Sequence, residues 1–306
     1  MIQTFSRVLP HGITLSCRAA GEVGRPVLLF LHGFPEAAFV WDFMLEHFSR
    51  PEHGGYRCIA PNLRGFEHSS APTEVSAYRP KHLVQDIAVL IALETTGHQG
   101  QLAALVAHDW GGAVAWNLTN QMPHLMHQLV IINSPHPGTF LRELKNNPEQ
   151  QAASAYMNFL IRADAEKLLA QDDYRRLWDF LTNTQNGHQP PAWLTDQVKS
   201  QYREVWAAGL TGGCNLYRAS PLRPPRAEDP AAAAIDLPHN LLTVTPPTLV
   251  IWAMDDLALP PALIDGLGDY VEQLTLQTCA GASHWIVHEQ PEWVAQTLSN
   301  FLNRKV

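Results

Sequence analysis

Short, uninterrupted apolar runs alternate with stretches of helical spacing over the first 137 residues of the chain. Residues 27–31, 56–60, 102–106 and 129–132 read as strands, and residues 80–97 carry apolar positions at helical spacing. Continuous apolar strands separated by helices predict a parallel sheet covered on both faces. Over 138–236 the strand-like runs vanish. Helical patterns are expected over 152–169, 172–182 and 194–208, and Pro221, Pro224, Pro225 and Pro230 mark an extended return. Sheet-type sequence resumes at 248–252 and near 273–278, and 291–302 is a closing amphipathic helix. The pattern therefore predicts one α/β core (1–137 and 237–306) interrupted by a helical cap (138–236).

Composition narrows the function classes. The chain has 306 residues, 46% of them hydrophobic and 16% charged, which is enough for one large domain with an inserted module. A net charge of −8 with no Lys/Arg block gives no support for nucleic-acid binding. The four cysteines, Cys17, Cys58, Cys214 and Cys279, form no C-x-x-C pair, so neither a disulfide framework nor a zinc site is indicated. The first residues lack the layout of a signal peptide, and no run approaches the length of a membrane span. The expected compartment is the cytoplasm.

Chemistry enters at residues 107–112, Ala-His-Asp-Trp-Gly-Gly, which directly follow the 102–106 run. This reads as a strand-to-helix turn holding Asp109 where a hydrolase elbow commonly holds serine. Gly111 and Gly112 allow the tight turn, and the helix expected over 111–124 favours negative charge at its start. A carboxylate there displaces at saturated carbon and forms an alkyl ester, whereas a serine takes an acyl group. Cleaving that ester needs a base to activate water and an acid to orient the base. His284, in the loop Gly281-Ala282-Ser283-His284-Trp285, follows the last strand, where sites of open α/β sheets gather. Asp255 and Asp256 both end the preceding strand; Asp256 is the favoured orienting acid and Asp255 the turn residue. The backbone N–H groups of Phe34 and Trp110 are expected to form the oxyanion hole. His32 and the Arg64-Gly65-Phe66 turn read as structural, and Phe34–Pro35 is a candidate cis peptide.

Taken in order, His32-Gly33-Phe34-Pro35, His108-Asp109-Trp110-Gly111-Gly112, Asn133-Ser134-Pro135-His136-Pro137 and Gly281-Ala282-Ser283-His284-Trp285 resemble the α/β-hydrolase-fold epoxide hydrolases. The resemblance implies a mostly parallel sheet flanked by helices, an inserted helical cap, and two cap tyrosines that reach over the nucleophile. Asn215-Leu216-Tyr217-Arg218 resembles the second tyrosine segment, which makes Tyr217 the expected ring-opening donor. The first lies in Ala155-Tyr156-Met157-Asn158-Phe159, where an ungapped comparison puts Asn158, not Tyr156, at the tyrosine position. Tyr156, Asn158, Phe34 and Trp110 are the expected substrate-binding residues. The implied reaction opens a small apolar epoxide to a vicinal diol with water and needs no metal or organic cofactor; a homodimer is left open.

Haloalkane and fluoroacetate dehalogenases share the aspartate nucleophile and are the alternative. Phe34 offers no side-chain donor for a halide, and Trp110 and Ala113 stand where fluoroacetate dehalogenases carry arginines, so epoxide chemistry is favoured. A non-catalytic binding protein on the same fold is a third reading. A binder has no physical need for nucleophile, acid, histidine and oxyanion loop together.

Overall fold

In a computed structural model, residues 1–182, 190–226, 229, 232 and 234–304 are described. Strands β1 (Gln3–Val8), β2 (Thr14–Ala20), β3 (Val27–Leu31), β4 (Arg57–Pro61), β5 (Leu102–His108), β6 (Met126–Ile132), β7 (Thr248–Ala253) and β8 (Leu274–Cys279) form one sheet in the order β1-β2-β4-β3-β5-β6-β7-β8. The first pairings, β1 with β2 and β2 with β4, are antiparallel; the others are parallel. β3, β4 and β7 are buried at every residue, which is why their sequences carry no alternation. β8 closes one edge and leaves Thr275 and Leu276 less covered than the centre, as an edge strand must.

Helices α1 (Asp42–Phe48), α2 (Pro80–Glu94) and α3 (Trp110–Gln121) connect the parallel strands. Between β6 and β7 come α4 (Pro137–Asn146), α5 (Pro148–Ala153), α6 (Tyr156–Leu160), α7 (Ala165–Leu169), α8 (Gln171–Thr182), α9 (Asp196–Ala208) and α10 (Thr211–Ala219). The chain then closes through α11 (Ile286–Glu289) and α12 (Pro291–Leu302). α12 starts on Pro291 and buries Val294, Ala295, Leu298 and Phe301, a stripe at helical spacing.

One expected helix differs from the structure. The single helix expected over 152–169 is broken into α5, α6 and α7. One break falls at Ser154, whose hydroxyl accepts from the Gln150 amide; the next falls before Asp164, which pairs with Arg162. The N-terminal antiparallel pair β1–β2 carried no expectation. Pro230, one of the residues expected to mark an extended return, lies outside the described residues.

No helix among the described residues is long and apolar enough to cross a membrane.

Candidate active site

The carboxyl ends of β3, β5, β6, β7 and β8 converge, and each delivers one polar side chain or loop to the same place. Asp109 follows β5 and forms the N-cap of α3 with φ +50° and ψ −121°, a conformation that a non-glycine residue adopts only where its surroundings enforce it. Enforcement comes from packing: a Cβ at Gly111 would run into the Leu31 carbonyl, so only glycine lets α3 begin so close to β3. Ser134 Oγ donates to the Asp109 carbonyl at 2.7 Å and pins the turn from the β6 side.

Oδ1 of Asp109 accepts a hydrogen bond from the Phe34 backbone N–H at 2.7 Å. Trp110 supplies the first N–H of α3, one of the helix's orphan donors. The Phe34–Pro35 peptide is cis. His32 stays out of the chemistry: its Nε2 accepts from the Leu63 N–H, Nδ1 donates to the Gly33 carbonyl, and burial pushes its pKa down to about 4.

On the other side of Asp109, His284 Nε2 stands 3.6 Å from Oδ2. Its Nδ1 donates to Asp256 Oδ2 at 2.6 Å. Asp256 is fully buried, yet four further or shared donors hold it ionised. Oδ1 accepts the N–H groups of Ala258 and Leu259, and Oδ2 accepts the Asn133 amide at 2.8 Å as well as His284. Burial works against that charge, but His284, Asn133 and the Leu259 N–H outweigh it and keep the Asp256 pKa below its ordinary value. His284 shows the reciprocal effect. Burial lowers its pKa, while Asp256, Asp109 and Glu36 raise it further, to about 9. Asp255 donates its backbone N–H to the Ala282 carbonyl and makes the turn.

Sequence reasoning missed the buried polar side chains that stand behind His284. Glu36 is completely buried, accepting from Tyr202 Oη at 2.6 Å and lying 2.7 Å from His288 Nε2. Its other oxygen is 3.3 Å from His108 Nδ1, and His108 Nε2 donates to the His284 carbonyl at 2.9 Å. Burial pushes the Glu36 pKa up, but the flanking His288 and His108 hold it well below the usual carboxylate range. Asn133, with φ +39°, was likewise unassigned although it ends β6 and bridges Asp256 to the Ala253 N–H.

Above Asp109, Tyr217 of α10 packs edge-on against Trp110 (ring centroids 5.0 Å), Phe34 (5.4 Å) and Tyr156 of α6 (6.0 Å). The two tyrosine hydroxyls lie within hydrogen-bonding reach of each other. Burial above all raises both tyrosine pKa values far above the ordinary one, helped by Asp109 and Asp256 at Tyr156 and by Tyr156 and then Asp109 at Tyr217, so both stay protonated donors. Tyr156, Tyr217, Trp110 and Asp109 line a cavity of about 170 Å³ whose walls are otherwise almost wholly apolar, with Phe140 and Leu259 among them. Asn158 is not in that wall; its Oδ1 is buried without a partner. A second cavity of about 660 Å³ reaches His284 and Asp256 from the side of α8, with Tyr156 as the shared partition.

A carboxylate held by an N–H donor, a histidine paired with a second carboxylate, and two protonated phenols over an apolar cavity can attack carbon, protonate an oxygen and activate water. Comparison with known proteins gives the same direction. The family model described as alpha/beta hydrolase fold matches residues 26–291. A solved structure described as one of the novel epoxide hydrolases of the alpha/beta hydrolases superfamily, from metagenomes of hot environments, has a TM-score of 0.85 at 34% identity, covering 100% of both chains. The chain belongs to the epoxide hydrolase family of the α/β-hydrolase superfamily. Among curated proteins it is 33% identical to AB hydrolase superfamily protein YfhM of Bacillus subtilis, over 96% of each chain. It is also 29% identical to epoxide hydrolase 4 of Homo sapiens, over 98% of this chain and 79% of that one.

Proposed function

We propose that this family member hydrolyses apolar epoxides to vicinal diols through an ester on Asp109. Oδ1 is held by the Phe34 N–H, so Oδ2 is the oxygen that attacks a ring carbon from behind. As that C–O bond forms, the ring C–O bond breaks, and its electron pair leaves on an oxygen that takes a proton from Tyr217 or Tyr156. The product of this half-reaction is a hydroxyalkyl ester. Water then gives a proton to His284 Nε2 and attacks the carboxyl carbon; the second cavity offers it a path to that atom. The oxyanion gathers on Oδ1 between the N–H groups of Phe34 and Trp110. Collapse expels the diol oxygen, which takes the proton held on His284, while the carboxylic acid regenerated on Asp109 returns its proton to the tyrosinate, so that Asp109, His284 and the tyrosine are all restored. Residues 138–236 act in this scheme as the cap that carries both tyrosines.

The observation that carries the reading is the pair of buried, protonated tyrosines over the carboxylate. An alkoxide leaving group needs an O–H donor, whereas a halide leaves without a proton. The test is to replace His284 with Gln and weigh the intact protein after exposure to an epoxide and, separately, to a haloalkane. Ester formation without hydrolysis adds the whole mass of the epoxide; the haloalkane product would add the substrate less hydrogen halide. An adduct from the haloalkane alone would overturn the epoxide reading.

A further inference from the structure

Tyr217 sits on a helix whose seat on the core is made of bare backbone. Gly212, in the first turn of α10, lies directly on Gly65 of the loop after β4. A Cβ placed on Gly65 would stand 2.6 Å from the Cα of Gly212, and a Cβ on Gly212 would collide with the Cα and carbonyl of Gly65. These are main-chain atoms with no rotamer to give way. Carbon atoms need about 3.5–4.0 Å, so any side chain here forces the two segments roughly 1 Å apart. Gly213 faces the Phe34 ring in the same fashion, at 2.7 Å for a Cβ.

Both partners are fixed independently. The Gly65 loop is held by Arg64, whose guanidinium makes a buried pair with Asp86 at 2.7 and 2.8 Å and donates to the Ala77 carbonyl. Gly65 has φ +89° and donates its N–H to the Ser70 carbonyl. On α10, the Asn215 amide donates to the Thr73 carbonyl of the core at 3.1 Å. Tyr217 lies five positions beyond Gly212, about 7.5 Å along the helix axis, so a shift at the seat is passed to the phenol.

We infer that the Gly65–Gly212 backbone contact is the spacer that sets the height of Tyr217 above Asp109, making both glycines positioning residues for ring opening. The inference rests on Tyr217 acting as the oxygen donor. It assigns the contact no part in ester hydrolysis, because His284, Asp256 and the Phe34 N–H stand on other elements. A displacement of 1 Å at a reacting group costs up to about a hundredfold in rate.

The test measures the two half-reactions separately, by single-turnover quench and intact mass, in Gly212→Ala, Asn215→Ala, Tyr217→Phe and the Gly212→Ala/Tyr217→Phe double variant. Alanine is a better helix former than glycine, so Gly212→Ala does not weaken α10 itself. Ester formation is expected to slow by about ten- to a hundredfold in Gly212→Ala, with ester hydrolysis within about twofold of wild type. Asn215→Ala, which loosens the same seat without adding volume, shows the same split at smaller size and serves if Gly212→Ala does not fold. In the Tyr217→Phe background, Gly212→Ala has no further effect on ester formation, because the two act as one unit. Gly97→Ala, whose Cβ meets nothing within 4 Å, changes neither step. Equal losses in both half-reactions, or an undiminished Gly212→Ala effect on top of Tyr217→Phe, would overturn the spacer role. Unchanged ester formation in Tyr217→Phe alone would instead sink the assignment of Tyr217 as donor.

Discussion

His284 Nε2 faces Asp109 Oδ2 across 3.6 Å, an ion-pair distance rather than a hydrogen bond. Across that gap stands an imidazole whose pKa is raised to about 9 by Asp256, Asp109 and Glu36 against the effect of burial. A protonated imidazole cannot act as a base. In the proposed scheme esterification of Asp109 would relieve this, because it removes one of the influences that hold the proton on His284.

It follows that the two half-reactions have different pH profiles. In the proposed scheme ester formation draws on the tyrosines as proton donors, and both stay protonated across neutral pH. Ester hydrolysis falls off on the acid side with an apparent pKa below the value of about 9 that belongs to the free enzyme. Single-turnover rates between pH 5 and 10 check this. An ester-hydrolysis limb at or above the free-enzyme value would contradict it.

Linkage carries the same pKa into stability. The His284 pKa is raised above its unfolded value of 6.5. Its contribution is therefore fully present below about pH 6.5 and is lost as pH rises through about 9. Urea unfolding at pH 6, 7.5 and 9 is expected to show wild type losing stability over this window. His284→Gln removes that part of the slope, whereas an unchanged slope would mean that the imidazole pairing contributes nothing.

Asp256→Asn keeps the shape of the acid but removes the charge that orients and supports the imidazolium. Ester hydrolysis is expected to slow by about 10²- to 10⁴-fold. Ester formation should change far less, so the mutant accumulates the covalent adduct during turnover. Intact-mass spectra taken at steady state decide the matter: a mutant that stays unmodified while losing activity would show that Asp256 serves the first step.

Arg64 and Asp86 are 5% and 3% exposed and pair bidentately, with His11 on the same carboxylate. Asp86→Asn leaves a buried guanidinium without its counter-charge. The expected cost is about 3–5 kcal/mol of folding stability, read by chemical denaturation. A loss under about 1 kcal/mol would show that water or the Ala77 carbonyl satisfies Arg64 in its place.

What the sequence disclosed depended on whether the signal was local. β3 and β7 were legible because complete burial leaves an uninterrupted apolar run, and Asp109 because strand, turn and paired glycines coincide within a dozen residues. β2 escaped notice, although Leu15, Cys17 and Ala19 alternate inward with period two; its partly exposed face dilutes the apolar run. Asn158 was placed over the nucleophile by counting positions. In the folded chain Tyr156, on the short helix α6, lines the cavity and Asn158 does not. Glu36 was invisible for another reason. Its partners His108, Tyr202 and His288 come from points up to 252 positions away, and only the folded chain shows that this buried carboxylate is matched.

Isotope placement in one turnover reads the proposed transient bond between Asp109 and substrate carbon directly. Enzyme in excess over an epoxide, in water enriched in oxygen-18, is expected to release an unlabelled diol and to acquire the heavy oxygen in the carboxyl group of Asp109, seen in the peptide that contains it. A diol labelled in the first turnover, with Asp109 left at natural abundance, would mean that water attacks the ring itself and that no ester forms.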